Sequence, residues 1–234
     1  MESVRCNGVF MADHIFLSSP HMSDEGYEME YIRDAFRKNW IAPLGENVNE
    51  FESAMKAYTG CENAVALSSG TSALHLSLIL AGAGKGDRVF CQDLTFSASA
   101  NPITYVGAEP VFIDSERDTW NMDPAVLEKA IGLYGVPKAV IAVHLYGNPA
   151  KMDEICRICD AYQITLIEDA AEALGSEYRS RKCGTFGEYG ILSFNGNKII
   201  TTSGGGMLLC RQKDDAAHAL KLATQAREPF PWYQ

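Results

Sequence analysis

The sequence predicts an α/β fold: a mainly parallel, mixed sheet of seven strands with helices on both faces. Three observations lead there. Seven short apolar runs punctuate the chain, at 64–67, 88–91, 110–114, 139–144, 164–168, 190–194 and 207–210. Helical spacing fills the gaps between the first five, near 71–81, 96–106, 123–133 and 151–162, the rhythm of strand–helix–strand crossovers. The runs are apolar throughout, as in Ala139-Val140-Ile141-Ala142-Val143, instead of alternating apolar with polar. Strands of that composition are buried on both faces, which is the condition of a parallel sheet.

Ahead of the first strand, Ser23 opens a charged helical segment that runs to Asn39 with Tyr31, Ile32, Ala35 and Phe36 as its apolar stripe. Pro43 and Gly45 break the pattern after Trp40. A second helix carries Val48, Phe51, Met55 and Tyr58 on one face and stops at Gly60. Residues 1–14 read as an extension ahead of the fold, with Met11 a second candidate start, and 15–226 as one large domain. The last stretch, 227–234, holds Pro229 and Pro231 among three aromatics and reads as the start of a linker to a domain this chain lacks.

Composition limits the function classes. The chain has 234 residues, 47% hydrophobic and 21% charged, enough to bury a sizeable core. With 20 Lys+Arg against 30 Asp+Glu the formal charge is −10, so no basic stripe offers general affinity for nucleic acid. No apolar run reaches the length of a membrane span. The first residues lack the apolar core of a secretory signal, and the seven cysteines are scattered and odd in number. Both point to reduced thiols and a cytoplasmic protein. Cys156 and Cys159 form a C-x-x-C inside a helical pattern, with no second pair or His cluster beside it. That reads as structural thiols, and no metal site is expected.

In a parallel sheet, ligands collect beyond the carboxyl ends of the strands, so the residues just after each apolar run carry the chemistry. After the first comes Ser68-Ser69-Gly70-Thr71-Ser72, opening an apolar helix. Free amides and hydroxyls at such a helix start are suited to a phosphate, although the same residues also serve as ordinary N-caps. After the second comes Thr95-Phe96, whose ring either faces the crevice or joins the core. After the fifth comes Glu168-Asp169-Ala170-Ala171-Glu172. Carboxylates at the end of a buried strand need a cation or hydrogen-bond donors, and Asp169 could hold a protonated ring nitrogen. A metal reading is weaker, since no His or further cluster of acids accompanies them in the sequence. After the sixth run comes Lys198, with no acid within nine residues on either side and Gly204-Gly205-Gly206 following. An amine in apolar surroundings gives up its proton more readily; the plain alternative is a surface lysine at a strand end. A lysine for an aldehyde, an anion nest for a phosphate and an acid for a pyridine nitrogen together describe pyridoxal phosphate.

These residues resemble the sugar aminotransferases of the DegT/DnrJ/EryC1/StrS family, which have the aspartate aminotransferase fold (fold type I). The resemblance runs from about Ile15 onward and rests on Gly70-Thr71-Ser72-Ala73-Leu74, Thr95-Phe96, Glu168-Asp169-Ala170-Ala171-Glu172-Ala173 and Ser193-Phe194 with Lys198. It implies that Lys198 bonds to the cofactor aldehyde and then moves the proton between sugar carbon and cofactor. It implies further that Asp169 pairs with the pyridinium nitrogen, that Phe96 stacks on the ring, and that Thr71, Ser72 and Ser193 bind the phosphate. Glu172 stands where the family often has Gln near the ring hydroxyl.

Ser18-Ser19-Pro20-His21-Met22, Trp40 to Gly45, His144-Leu145-Tyr146-Gly147-Asn148 and Asn195-Gly196-Asn197-Lys198 look like the subgroup that aminates UDP-4-keto-6-deoxy-N-acetylglucosamine. Members of that subgroup use glutamate, and their product leads to UDP-bacillosamine sugars. The resemblance also implies a homodimer whose sites borrow residues from the partner, and a smaller C-terminal domain beyond 234. A chain without that domain raises a second possibility: a truncated, inactive module that binds cofactor or dimerises without turnover. The family's dehydratases have His in place of the lysine, so Lys198 argues against them. A P-loop enzyme is excluded because no G-x-x-x-x-G-K-[ST] occurs.

Overall fold

The computed structural model of the protein describes residues 22–42 and 44–228. The expected extension at 1–14, the motif residues 18–21, Pro43 and the stretch from 229 onward lie outside those residues. In chain order the elements are α1 (Tyr27–Arg37), α2 (Glu46–Thr59), β1 (Asn63–Leu67), α3 (Gly70–Leu80), β2 (Arg88–Gln92), α4 (Asn101–Tyr105), β3 (Glu109–Ile113) and α5 (Pro124–Tyr134). They continue with β4 (Ala139–Val143), α6 (Met152–Tyr162), β5 (Thr165–Asp169), β6 (Glu177–Tyr178), β7 (Arg181–Lys182), β8 (Tyr189–Ser193), β9 (Gly206–Cys210) and α7 (Lys213–Ala223). Short 3₁₀ turns occupy Ser97–Ser99 and Leu145–Gly147.

The main sheet has seven strands in the order β1-β9-β8-β5-β4-β2-β3. Only β9 runs against its neighbours; β2, β3, β4, β5 and β8 pair in parallel. The mainly parallel α/β sheet read from the sequence is therefore the sheet of the protein.

Strand pleating puts core on both faces of the sheet. Ala139 and Ile141 of β4 pack with α3 residues Ala73, Leu74 and Leu78 on one face. Val140 and Ala142 pack with α5 and α6 residues Leu127, Ile131, Met152 and Ile155 on the other. This alternation at period two is why wholly apolar strands were needed. Local chemistry fixes the helix ends. Asp123 caps α5 by accepting from Ala125 N–H at 2.8 Å with Pro124 in the first turn, and Gly60 ends α2 in the left-handed conformation at φ 77°.

Three expectations need correction. The helix expected over 96–106 is split into the 3₁₀ turn Ser97–Ser99 and α4, because Pro102 cannot continue a helix from behind but starts one well. The apolar stripe of α1 covers nothing among the described residues: Tyr31, Ile32 and Phe36 are all exposed. The β6–β7 hairpin and α7 were not foreseen; the two-residue strands of the hairpin are too short to leave a pattern. Cys156 and Cys159 are free thiols on α6. Burial pushes their pKa up, to about 11 and about 12, which fits a packing role and not a redox one.

Candidate active site

The loops after β1, β2, β4, β5 and β8 meet at one edge of the sheet and enclose a cavity of about 340 Å³, within reach of an ordinary small-molecule site. The topology produces it. From β2 the chain leaves over one face through α4, and from β4 it leaves over the other through α6. The crevice opens where those departures diverge.

Lys198 reaches the cavity from the loop after β8, where its backbone N–H bonds Asn195 O at 3.0 Å. Its side chain is 13% exposed, and its Nζ lies 3.4 Å from Glu172 Oε1. The isolation read from the sequence therefore fails in three dimensions: the fold supplies an acid from 26 residues away. Glu172 is itself oriented, since its Oε2 accepts the Tyr146 N–H at 3.0 Å. Tyr146 pays with a left-handed backbone at φ 51°. Glu172 thus ties the turn after β4 to the lysine.

The anion nest is the start of α3. Ser69 Oγ caps it by accepting from Ser72 N–H at 3.0 Å, while helix geometry leaves the Gly70 and Thr71 N–H groups without acceptors inside the helix. Both residues line the cavity with Ser193. The role expected of Ser72 meets an obstacle: its hydroxyl is held by Ser69 Oγ at 2.9 Å and Ser68 Oγ at 3.2 Å, and it is not among the cavity-lining residues. Ser68 and Ser69, which belong to the same helix-start segment but were given no role of their own, line the cavity.

Close approach of β9 builds this corner. Gly206 stands abreast of Leu67 and Ser193 in the sheet, and a Cβ there would lie 2.1 Å from the Ser69 carbonyl carbon. Backbone cannot yield as a side chain does. Gly206→Ala is expected to cost about 3 kcal/mol and to displace the Ser69–Thr71 turn, with the loss read from urea unfolding curves.

At the far side, Asp169 ends β5 and is 8% exposed. Its Oδ2 accepts the Ser99 hydroxyl at 2.6 Å and its Oδ1 the Ala171 N–H at 3.2 Å. The neighbouring Glu168 points to the opposite face, fully buried. It accepts from Gly184 N–H at 2.9 Å, Gly187 N–H at 2.7 Å, Phe186 N–H and His144 Nε2 at 3.0 Å. A histidine is thus present where the sequence showed none nearby. Still, no group of three or more metal-ligating residues exists among the described residues. Burial opposes a charge on His144, but Cys183 and Glu168 outweigh it and raise its pKa to about 9; the contact at the other ring nitrogen runs against that direction and decides the protonation state. The Ala150 N–H, donating to Nδ1 at 3.1 Å, requires a lone pair on that nitrogen, which leaves a neutral ring donating from Nε2. Phe96 lines the cavity at the start of the Ser97–Ser99 turn, with 73% of its surface exposed. It stands in the crevice and not in the core.

The residues present fit pyridoxal phosphate on chemical grounds. An amine, a buried acid with one oxygen braced by a hydroxyl, an exposed ring and a nest of helix-start amides share one cavity of adequate volume. Among the described residues that line this cavity, Lys198 is the only Lys or Arg.

The chain belongs to the DegT/DnrJ/EryC1/StrS aminotransferase family, whose model matches residues 23–232. It is 57% identical over 228 residues to EpsN of Bacillus subtilis (strain 168), whose name places it among pyridoxal phosphate-dependent aminotransferases; the match covers 96% of this chain and 58% of EpsN. It is 42% identical over 217 residues to the GDP-perosamine synthase of Caulobacter vibrioides, covering 92% of this chain and 57% of the synthase. The crystal structure of the aminotransferase TlmJ from Streptoalloteichus hindustanus superposes with a TM-score of 0.85 at 32% identity, over 92% of this chain and 58% of TlmJ. The chain therefore spans less than two thirds of the length of these relatives.

Proposed function

We propose that this chain is the cofactor-binding large domain of a pyridoxal phosphate-dependent aminotransferase that moves an amino group from glutamate to a nucleotide-linked 4-keto-6-deoxy sugar. The observation that carries the reading is the meeting of Lys198, Asp169 and the Ser69–Thr71 nest in one cavity. Pyridoxal phosphate, when bound, supplies an aldehyde for an amine and a ring that takes up an electron pair. The protein does the rest. Gly70, Thr71 and Ser193 hold the phosphate, with Ser72 acting through the cap it shares with Ser69. Phe96 covers one ring face. Asp169 holds the proton at the ring nitrogen, and Lys198 Nζ anchors the cofactor and moves the proton at the substrate carbon. Glu172 holds Lys198 and the turn at Tyr146 in place.

UDP-4-keto-6-deoxy-N-acetylglucosamine is the sugar we assign, on the Trp40–Gly45, His144–Asn148 and Asn195–Lys198 segments. We assign 15–226 to the large domain, 1–14 to an extension and 227–234 to a linker toward a second domain. The working form is a homodimer in the cytoplasm. The exposed Phe96, which lines the cavity, favours a partner subunit there, and no helix among the described residues is long and apolar enough to cross a membrane. Added pyridoxal phosphate is expected to give a visible absorption band that glutamate shifts, followed by amine transfer to the UDP sugar. A band without transfer would support the inactive module, transfer only to a GDP-linked 4-keto sugar would overturn the sugar, and no band would overturn the whole reading.

A further inference from the structure

Ser99 is fully buried, 70 residues from Asp169 in sequence, and belongs to no part of the cavity lining. Its hydroxyl lies 2.6 Å from Asp169 Oδ2, and Thr95 Oγ1 lies 2.7 Å behind it. Hydrogen counting fixes the direction of this chain. An ionised carboxylate only accepts, so Ser99 must spend its one hydrogen on Asp169. Ser99 then receives at its lone pair, and Thr95 must be the donor. The result is a one-way relay, Thr95 O–H to Ser99 O–H to Asp169, in which each bond polarises the next. On its other oxygen Asp169 takes the Ala171 N–H at the longer distance of 3.2 Å. The carboxylate is thereby clamped from the protein side and keeps lone pairs toward the cavity.

We infer that Ser99 is a positioning residue that sets Asp169 for a heteroaromatic ring nitrogen; the inference rests on the aminotransferase reading. The placement adds a second consequence. Thr95 precedes Phe96, the N-cap of the Ser97–Ser99 turn, and Ser99 ends that turn, so one hydroxyl pair locks the spacing between the ring-covering side chain and the acid. A relay of this kind gains nothing from a ligand that lacks the nitrogen.

The test measures affinity, not turnover. The full chain, freed of cofactor, is titrated with pyridoxamine 5′-phosphate and with its 1-deaza analogue, which has carbon at the ring-nitrogen position. Ser99→Ala is expected to weaken pyridoxamine phosphate about tenfold, the size of one hydrogen bond to a charged group, and to leave the deaza analogue unchanged within twofold. In an Asp169→Asn background the same substitution is expected to change neither. Should Ser99→Ala fail to fold, Thr95→Val, which removes the rear donor and a hydroxyl of the cavity lining common to both ligands, gives the same differential at roughly twofold to threefold. Equal weakening of both ligands would overturn the inference, since a merely structural hydroxyl cannot distinguish them. No weakening of either would also overturn it. Failure of the unsubstituted chain to bind pyridoxamine phosphate would instead overturn the aminotransferase reading, and the inference with it.

Discussion

Lys198→Ala is expected to lower amine transfer by about 10⁴-fold or more while the protein stays folded. The side chain carries two tasks in the proposed reaction, anchoring the cofactor and moving a proton at the substrate carbon, and the second alone is worth about 10²–10⁴. Lys198→Arg is expected to fail equally, because a guanidinium does not lose its proton and cannot act as the base. Stability should move by less than about 1 kcal/mol, since a pair 3.4 Å apart with partners 13% and 30% exposed contributes little net energy. Glu172 remains braced by the Tyr146 N–H after the lysine is gone. The two measurements, initial rate of transfer and urea midpoint, separate a chemical role from a structural one. A variant that kept a tenth of the rate would remove Lys198 from the chemistry.

What the sequence disclosed and what it hid divide by range. Apolar runs, caps and C-terminal glycines are local signals, and they located the strands to within a residue, whereas the first helix starts four residues after Ser23 and the one expected from 96 starts at Asn101. The period of a strand says which face is buried but not which strand lies beside it, so the order β1-β9-β8-β5-β4-β2-β3 was not legible. The site shows the same division. Asp169 and Lys198 stood out because a charge beside a buried strand is conspicuous within a few residues. Their partners did not. Glu172 meets Lys198 across 26 residues, His144 meets Glu168 across 24, and Ser99 meets Asp169 across 70. A serine in Phe96-Ser97-Ala98-Ser99 carries no pattern that distinguishes it from a turn residue. Ser72 was ambiguous for the converse reason: a helix-start hydroxyl reads alike whether it faces a ligand or its own cap, and here it bonds Ser68 and Ser69.

Asp169→Asn gives the second large effect, and the surroundings make it a clean one. The substitution keeps the shape of the side chain and removes its charge. Where Oδ2 stood, the new amide NH2 donates to Ser99 Oγ, and the Ser99 hydroxyl turns to donate to Thr95 Oγ1, reversing the relay. The other position stays a carbonyl oxygen facing Ala171 N–H. Packing and hydrogen-bond satisfaction are therefore preserved, and the urea midpoint is expected to move by less than about 1 kcal/mol. Transfer is expected to fall about 10²–10³-fold, as when one preorganised electrostatic group is taken from a reacting centre. A neutral amide cannot hold a proton at a ring nitrogen. The loss should fall in kcat, with affinity for pyridoxamine phosphate reduced far less, because the charge matters most when the ring takes up electrons. An Asn variant with an unchanged kcat would mean that no proton is held there, and that the buried acid at the end of β5 serves only to fasten the Ser99 turn.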